Sequence, residues 1–422
     1  MAQDADPGTS RLRANIARIA SGGAASQLLL FAATPLLTRL YAPETFGVYA
    51  VYAGLHAIVA GLFTLKYDAA VVLPSDDRVA RRLTVLTMAL SVALSGLTGL
   101  GLLVWWRAAG RPPPWQYVGL PFGAVTAAAL TVAQQWAARA NDYRDFARSQ
   151  VVGALVNVAV AVGAGALWQG PVPGLLAAFV LGQAASVVFM VARKPPDWTL
   201  PSRAELQQVA RDFVNFPMHV LPSRLVLSVG AGIQPTALER LFSLDDVGQY
   251  ALANRMLLTP SALIGGAISE AFRAELVTRL RERRANEAFT LGVLWRTAAI
   301  ASALVGALVL VGPTVFGLVF GDRYAAAGDV ARYLAPAALA QFIAMPLNHV
   351  LIAHGNTRLE LLVQLFANLA PLTVLVGAAL LGLGFAGTLL CWSGAVVGAL
   401  GVTFLVARRV LRSADRGAEV QP

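Results

Sequence analysis

At 422 residues, 57% hydrophobic and only 13% charged, the chain is too apolar for a soluble globular protein, which carries about 25% charge. Its net charge of +10 brings nucleic acid to mind, but the cations gather at the ends of apolar segments, a pattern set by membrane topology. Segments of this length without period-two alternation exclude a transmembrane β-barrel.

A helix needs about 20 apolar residues to cross a bilayer. In chain order the candidates are 19–38, 48–65, 83–106, 115–138, 149–168 and 173–192, then 213–238, 248–272, 288–318, 330–353, 359–381 and 384–407. The expectation is an all-α membrane protein of about twelve transmembrane helices, two six-helix halves around a central cavity. The first segment does not read as a cleaved signal peptide. It has the length of a full span and follows Asp4 and Asp6 as well as Arg11, Arg13 and Arg18. Residues 1–193 form the N-terminal half, 194–212 a polar linker, 213–409 the C-terminal half and 410–422 a tail. Pro195, Pro196 and Pro201 stop helices in the linker, and Ser202 caps a short amphipathic segment. Pro121, Pro217, Pro222, Pro260, Pro336, Pro346 and Pro371 are candidate bends within spans. Cys391, the single cysteine, lies in the last segment, so no internal disulfide is possible.

The halves echo each other. Residues 37–50, LTRLYAPETFGVYA, and 238–251, LERLFSLDDVGQYA, share six identities in fourteen at an offset of 201. Each copy is a short polar hinge between long apolar stretches. Six spans per half give both halves the same orientation, related by an axis along the membrane normal.

With the N-terminus in the cytoplasm, the outward loops hold Arg39, Arg107, Arg111, Arg240, Arg323 and Arg332. Lys66, Arg224, Arg255 and Arg296 lie in or at the ends of spans, and every other cation falls in inward loops or the tails. The positive-inside rule then places both termini and the linker in the cytoplasm of a multi-pass membrane protein. The basic run Arg273, Arg279, Arg281, Arg283 and Arg284 is a topology signal, with anionic lipid as a secondary contact.

No catalytic, metal-binding or cofactor motif emerges, so none is expected and the chain does not read as an enzyme. Neither Lys66 nor Lys194 completes a phosphate-binding loop, and no histidine opens an H-E-x-x-H site. Gly382, Gly384 and Gly387 match G-x-G-x-x-G, but no strand precedes them, and they read as turn and helix-packing glycines.

Charge inside the spans is more informative. Arg224 lies ~16 Å into the seventh segment and Arg255 ~10 Å beyond Gly248. A guanidinium in hydrocarbon costs several kcal/mol, so each either faces a hydrated cavity or satisfies carbonyls at a kink. Lys66 and Asp68, in LKYDAAVVLP, either line the inner mouth of the cavity or snorkel and pair locally. Arg296, Glu360 and Glu270 read as snorkelling residues near the cytoplasmic surface. Arg39 and Arg240, the repeated pair, are interface anchors or an outer gate. Gln183, Asn348, Gln364 and Asn368 are among the uncharged polar residues that either join helices or meet sugar hydroxyls.

QLLLFAATPLLTRLYAPETFGVYA, LKYDAAVVLP, VFGDRYAAAGDVARYLAP and AMPLNHVLIAHGNTRLELLVQL together resemble the Wzx-type polysaccharide flippases of the multidrug/oligosaccharidyl-lipid/polysaccharide exporter superfamily. The resemblance runs from about Asn15 to Arg409. It implies a flippase that carries undecaprenyl-pyrophosphate-linked oligosaccharide repeat units across the inner membrane, for O-antigen (lipopolysaccharide), capsule or exopolysaccharide. It also implies membrane lipids, the polysaccharide polymerase and the chain-length machinery as partners. The family's cationic cavity matches Arg224, Arg255 and Lys66 here, with Asp68, Arg39 and Arg240 as gate candidates. Arg224 and Arg255 have Gly23 and Gly54 as repeat mates, a departure from a symmetric site.

Two other classes compete. A cation-coupled multidrug exporter of the same superfamily generally needs a carboxylate deep in a span, and Asp68, Glu270 and Glu360 all sit near inner ends. A glycan polymerase or ligase would carry catalytic residues on a large outer loop, and the outer intervals here are short. The topology is testable by labelling single cysteines in a Cys391→Ser background. A cysteine at Ser202 should stay unlabelled by an impermeant reagent added to intact cells; labelling there would overturn the orientation.

Overall fold

The computed structural model describes residues 7–167, 172–193, 200–282 and 284–419, and among them there is no strand. Asp4, Asp6, Pro195, Pro196 and Arg283 lie outside these residues. Hydrocarbon offers no water to a backbone N–H or C=O, so the chain satisfies these groups within helices.

The fold divides into two compact units, 1–236 and 237–422. The first holds α1 (Pro7–Leu40), α2 (Pro43–Phe63), the single turn α3 (Tyr67–Ala70), α4 (Asp77–Ala109), α5 (Trp115–Val118), α6 (Leu120–Arg139), α7 (Tyr143–Leu167) and α8 (Val172–Arg193). It continues through α9 (Arg203–Asp212), a π-helical turn at Phe216–Val220 and α10 (Leu221–Gly232), and the division falls within α11 (Gln234–Leu241). The second unit holds α12 (Leu244–Arg281), α13 (Glu287–Phe320), a 3₁₀ turn at Asp322–Tyr324, α14 (Ala326–Ala344), α15 (Leu347–Ala353), α16 (Thr357–Leu380) and α17 (Phe385–Glu419).

Among the described residues nine spans are long and apolar enough to cross a membrane, or ten if Phe216–Gly230 and Gln234–Leu241 form one broken span. The 34-residue α1 and the 38-residue α12 stand outside that count. In α12 the polar pair Asn254 and Arg255 interrupts the apolar run, yet both helices exceed the about 20 residues a crossing needs. The protein is an all-α membrane protein, and these lengths are consistent with about twelve spans.

The repeated hinge is also a structural repeat. One copy breaks between Leu40 and Pro43 and the other between Leu241 and Leu244, at the same offset. The local chemistry differs. Pro43 starts α2 with a preset φ at its first position, whereas Ser243 starts α12 through a reciprocal capping box with Asp246. Tyr41 is buried and donates its hydroxyl to the Ala161 carbonyl of α7 at 2.6 Å. Its mate Phe242 instead packs edge-on against Phe385 of α17, ring centroids 5.2 Å apart.

The proline bends resolve in two ways. Pro260, Pro336 and Pro371 lie inside continuous helices, as do Pro35 and Pro313. Pro222, where the π-helical turn runs unbroken into α10, belongs with these, whereas Pro121, Pro217 and Pro346 sit at the first positions or just outside helices, where a missing N–H costs nothing. Gly382, at φ 77, makes the turn between α16 and α17, a conformation that favours glycine.

The linker helix α9 docks on the first unit. Val209 is buried with Tyr67, Ala70, Val71, Ala80 and Leu83, Tyr67 donates to the Ala210 carbonyl at 3.0 Å, and Arg82 pairs with Glu205. Glu205 also closes a capping box with Ser202. The Ser202 backbone N–H, then its hydroxyl, hold the Glu205 carboxyl below the usual range. That contribution is present above the ordinary carboxylate pKa and fades as pH falls through the lowered value.

In the first unit α2 crosses α10 at backbone contact. A Cβ on Gly232 would lie 2.6 Å from the Gly54 carbonyl oxygen, and one on Gly54 would collide with the Gly232 carbonyl. Backbone on both sides cannot give way, so only glycine fits. Gly54→Ala should therefore lower the melting temperature in detergent, by overpacking worth about 1–3 kcal/mol. Gly96→Ala, where a Cβ meets nothing within 4 Å, should not.

Candidate functional site

The LKYDAAVVLP stretch folds into a strained reversal at the end of α2. Leu65 and Lys66 are consecutive non-glycine residues in the left-handed region, at φ 46 and 61. Such a conformation costs roughly 1–2 kcal/mol per residue and persists only where neighbours enforce it. Here α4 and α9 do so. Ser91 of α4 donates to the Phe63 carbonyl at 3.2 Å, and Tyr67 is held by Ala210. The reversal folds the Lys66 side chain back over α2, with Nζ 3.7 Å from where a Gly61 Cβ would stand. The ammonium thus sits beside the last turn of α2, where the unpaired carbonyls of a helix end favour a cation.

Asp68 follows in the first turn of α3. It is 2% exposed, and its Oδ1 has no hydrogen-bond partner among the described residues. The sequence leaves Asp68 either at the inner mouth of a cavity or snorkelling and paired locally; in the structure its side chain is buried. Burial without a partner is costly for a carboxylate and marks this group as the one in the turn that packing alone does not explain. The start of the seventh segment rests on the same cluster, through Phe213 and Phe216.

A π-helical turn of five residues, FPMHV, then precedes α10. Single π turns inside helices frequently mark functional positions. No signal in the sequence announces this one beyond the spacing of Pro217 and Pro222. Arg224 follows on α10, exposed, with no ion pair among the described residues.

The remaining candidates are dispersed. Arg39 is exposed in the last turn of α1, and Arg240 is exposed in the last turn of α11, where it is already engaged with a neighbour. Arg255 is half-buried in α12, ~16 Å along the helix from its start at Leu244, and it too is engaged within the fold. Lys66 and Asp68 therefore share one turn, Arg224 belongs to the same unit, and Arg240 and Arg255 lie in the part of the chain beyond residue 236. The repeat mates explain one asymmetry. A side chain at position 54 is barred by the α10 backbone, while position 255 accommodates an arginine.

Glu270 pairs with Arg273 at 2.7 Å. Among the polar residues, Gln183 accepts from Thr126 at 3.1 Å and Gln364 donates to Asn348 at 3.2 Å, both bonds between helices. Among the described residues no group of three or more His, Cys, Asp or Glu is placed to hold a metal ion.

A family model described as "Polysaccharide biosynthesis protein" matches residues 36–329. Among solved structures, the inward-facing conformation of a multidrug resistance MATE family transporter of the MOP superfamily has a TM-score of 0.69 at 17% identity, covering 92% of this chain and 96% of that one. A MOP superfamily transporter from Pyrococcus furiosus, described as having a binding pocket of reverse polarity, has a TM-score of 0.53 at 18% identity, covering 97% of each chain. The MATE transporter ClbM in complex with Rb+ has a TM-score of 0.50 at 18% identity, covering 96% of this chain and 97% of that one. At these identities the likeness is one of fold. No curated protein sequence matches the chain.

The strained reversal gives a direct prediction. Glycine at position 65 removes the Cβ clash at φ 46, and a β-branched residue worsens it. Leu65→Gly should keep or raise the melting temperature in detergent, and Leu65→Val should lower it. The opposite order would mean that the packing of the Leu65 side chain, not the backbone, decides stability there.

Proposed function

We propose a transport function on this footing: the chain belongs to the polysaccharide biosynthesis protein family, whose model spans residues 36–329. In this reading it is a flippase. It moves undecaprenyl-pyrophosphate-linked oligosaccharide repeat units from the cytoplasmic to the periplasmic leaflet of the inner membrane, for O-antigen, capsule or exopolysaccharide. Residues 1–193 and 213–409 are its two six-helix halves, and 194–212, with α9, is the cytoplasmic linker. The polysaccharide polymerase and the chain-length machinery take the product onward.

The observation that carries the reading, beyond the family, is Arg224: an exposed guanidinium on a helix just after a π turn in an apolar chain. A pyrophosphate brings two or three negative charges that must pass a low-dielectric layer. Fixed guanidiniums in a hydrated path lower that barrier and bind phosphate oxygens in bidentate fashion. Arg224, Arg255 and Lys66 supply the positive charge in this mechanism. Asp68, Arg39 and Arg240 serve as gates. The lipid tail stays in the bilayer while the head crosses, and no covalent bond is made or broken.

A second reading, a cation-coupled multidrug exporter, draws support from the buried Asp68, whose Oδ1 lacks a partner among the described residues, and from the multidrug transporter among the fold neighbours. There Asp68 would exchange a proton or metal cation against a cationic drug.

Deleting the gene should stop surface polysaccharide and leave lipid-linked repeat units on the inner leaflet. Normal surface glycan, with no second flippase present, would sink the flippase reading; lost resistance to cationic drugs instead would support the exporter. In the complemented strain, Arg224→Glu and Arg255→Glu should abolish surface glycan at unchanged protein level. Arg255→Lys should retain part of it, because the charge persists without the planar fork. Loss of the Arg255→Glu protein itself would assign that arginine to the fold.

A further inference from the structure

The second unit carries a groove of about 510 Å³ between α13, α14, the start of α15 and α17. Leu294, Trp295, Ala340, Leu347 and Phe404 form much of its wall, and Arg408 is its one charged lining residue. Its floor is solid. Leu294, Ala344 and Leu347 belong to the buried cluster that includes Phe272, Val350 and Leu411. Its mouth is open: Trp295 is 76% exposed, and a Cβ on Gly401, which lines the groove, would meet nothing within 4 Å. Along α17 the groove runs from Val397 to Arg408, ~16 Å at the helical rise. That is about half of the roughly 30 Å hydrocarbon layer, the depth of one leaflet.

Guanidiniums gather at one end. Arg408 and Arg412 both donate to Oε1 of Glu287, each at 2.8 Å. Two guanidiniums thus share one carboxylate, and their side chains remain 37% and 49% exposed. The arrangement is rigidly set. Asp415 accepts from the backbone N–H groups of Asn286 and Glu287 at 2.9 Å, which caps α13 from α17 and fixes Glu287 between the arginines.

We propose that this groove binds one anionic phospholipid. An acyl chain lies along α13 and α17, and the phosphate sits on Arg408 and Arg412. An apolar slot of leaflet depth ending in two partly exposed guanidiniums matches a chain of ordinary length with a net-negative head. A zwitterionic head would bring its own cation up against two exposed guanidiniums. The groove is lined by α13, α14, α15 and α17, none of which carries Arg224, Arg255 or Lys66, so the site is distinct from the residues proposed above for the substrate.

The test uses the purified full chain and two lipids of identical acyl chains, phosphatidylglycerol and phosphatidylcholine. Phosphatidylglycerol should raise the melting temperature in detergent more than phosphatidylcholine does, and native mass spectrometry should show one retained molecule. Gly401→Leu fills the groove where there is room. It should keep the lipid-free melting temperature and retain about tenfold less phosphatidylglycerol. Arg408→Gln with Arg412→Gln should erase the difference between the two lipids. Inorganic phosphate alone should not stabilise the protein. Equal stabilisation by both lipids, undiminished binding to Gly401→Leu, or displacement of phosphatidylglycerol by a long isoprenyl phosphate at lower concentration would each overturn the proposal.

Discussion

A backbone carbonyl in hydrocarbon must find a donor inside the protein, and the polar chemistry of this chain is arranged around that need. Most hydroxyls in the spans stay local: Thr87, Thr131, Ser261, Thr297 and Thr403 each return a bond to the carbonyl four residues back. The bonds that reach another helix are fewer, and several go to places where the helical ladder stops or weakens. Ser91 meets the last carbonyl of α2, and Ser269 meets Met345 in the break between α14 and α15. Gln249 meets Arg323 in the 3₁₀ turn after α13, and Ser393 meets Tyr333, three residues ahead of Pro336. Interruptions in the spans are therefore possible where a neighbouring helix supplies a donor.

The same need limits where charge can reside. In the second unit Glu287, Arg408, Arg412 and Asp415 form one network at the helix ends. In the first, Arg139 reaches Pro74, Ser75 and Asp77 from the last turn of α6. These groups lie where water or a headgroup can share the cost of their charge. Asp68 is different. It is buried in a turn whose backbone is strained at Leu65 and Lys66, and strain combined with an unsatisfied buried oxygen is a combination that packing alone does not favour.

Much of the fold was legible because its signals are periodic or local. Long apolar runs gave the helices, and the repeated hinge gave the offset at which both helix breaks fall. Ser202 announced the cap of α9. What stayed hidden depends on contacts between distant segments. Pro35 and Pro313 read as nothing special because the helices pass through them unbroken. Position 54 stood out only as the mate of Arg255, since the need for glycine there comes from α10, far along the chain. Lys66 and Asp68 could be placed on one turn by their spacing, but not the left-handed backbone that sets Lys66 over α2 and buries Asp68. The groove beside α17 left no trace, because its apolar lining reads in sequence as an ordinary lipid-facing surface.

The hinge repeat shows how duplication can separate scaffold from charge. Both copies break the helix at the same offset, yet the means differ: Pro43 and a buried Tyr41 in one, a Ser243–Asp246 cap and Phe242 in the other. A fixed position with interchangeable chemistry indicates that the break itself is what the fold requires. Gly54 and Arg255 show the converse. They occupy equivalent positions after that break, but α10 closes against position 54 and leaves room only for hydrogen. Once position 54 is committed to packing, an arginine at this repeat position can be carried only by the second copy. The uneven charge of the repeats then follows from helix packing, and a symmetric pair of arginines at these two positions is sterically excluded.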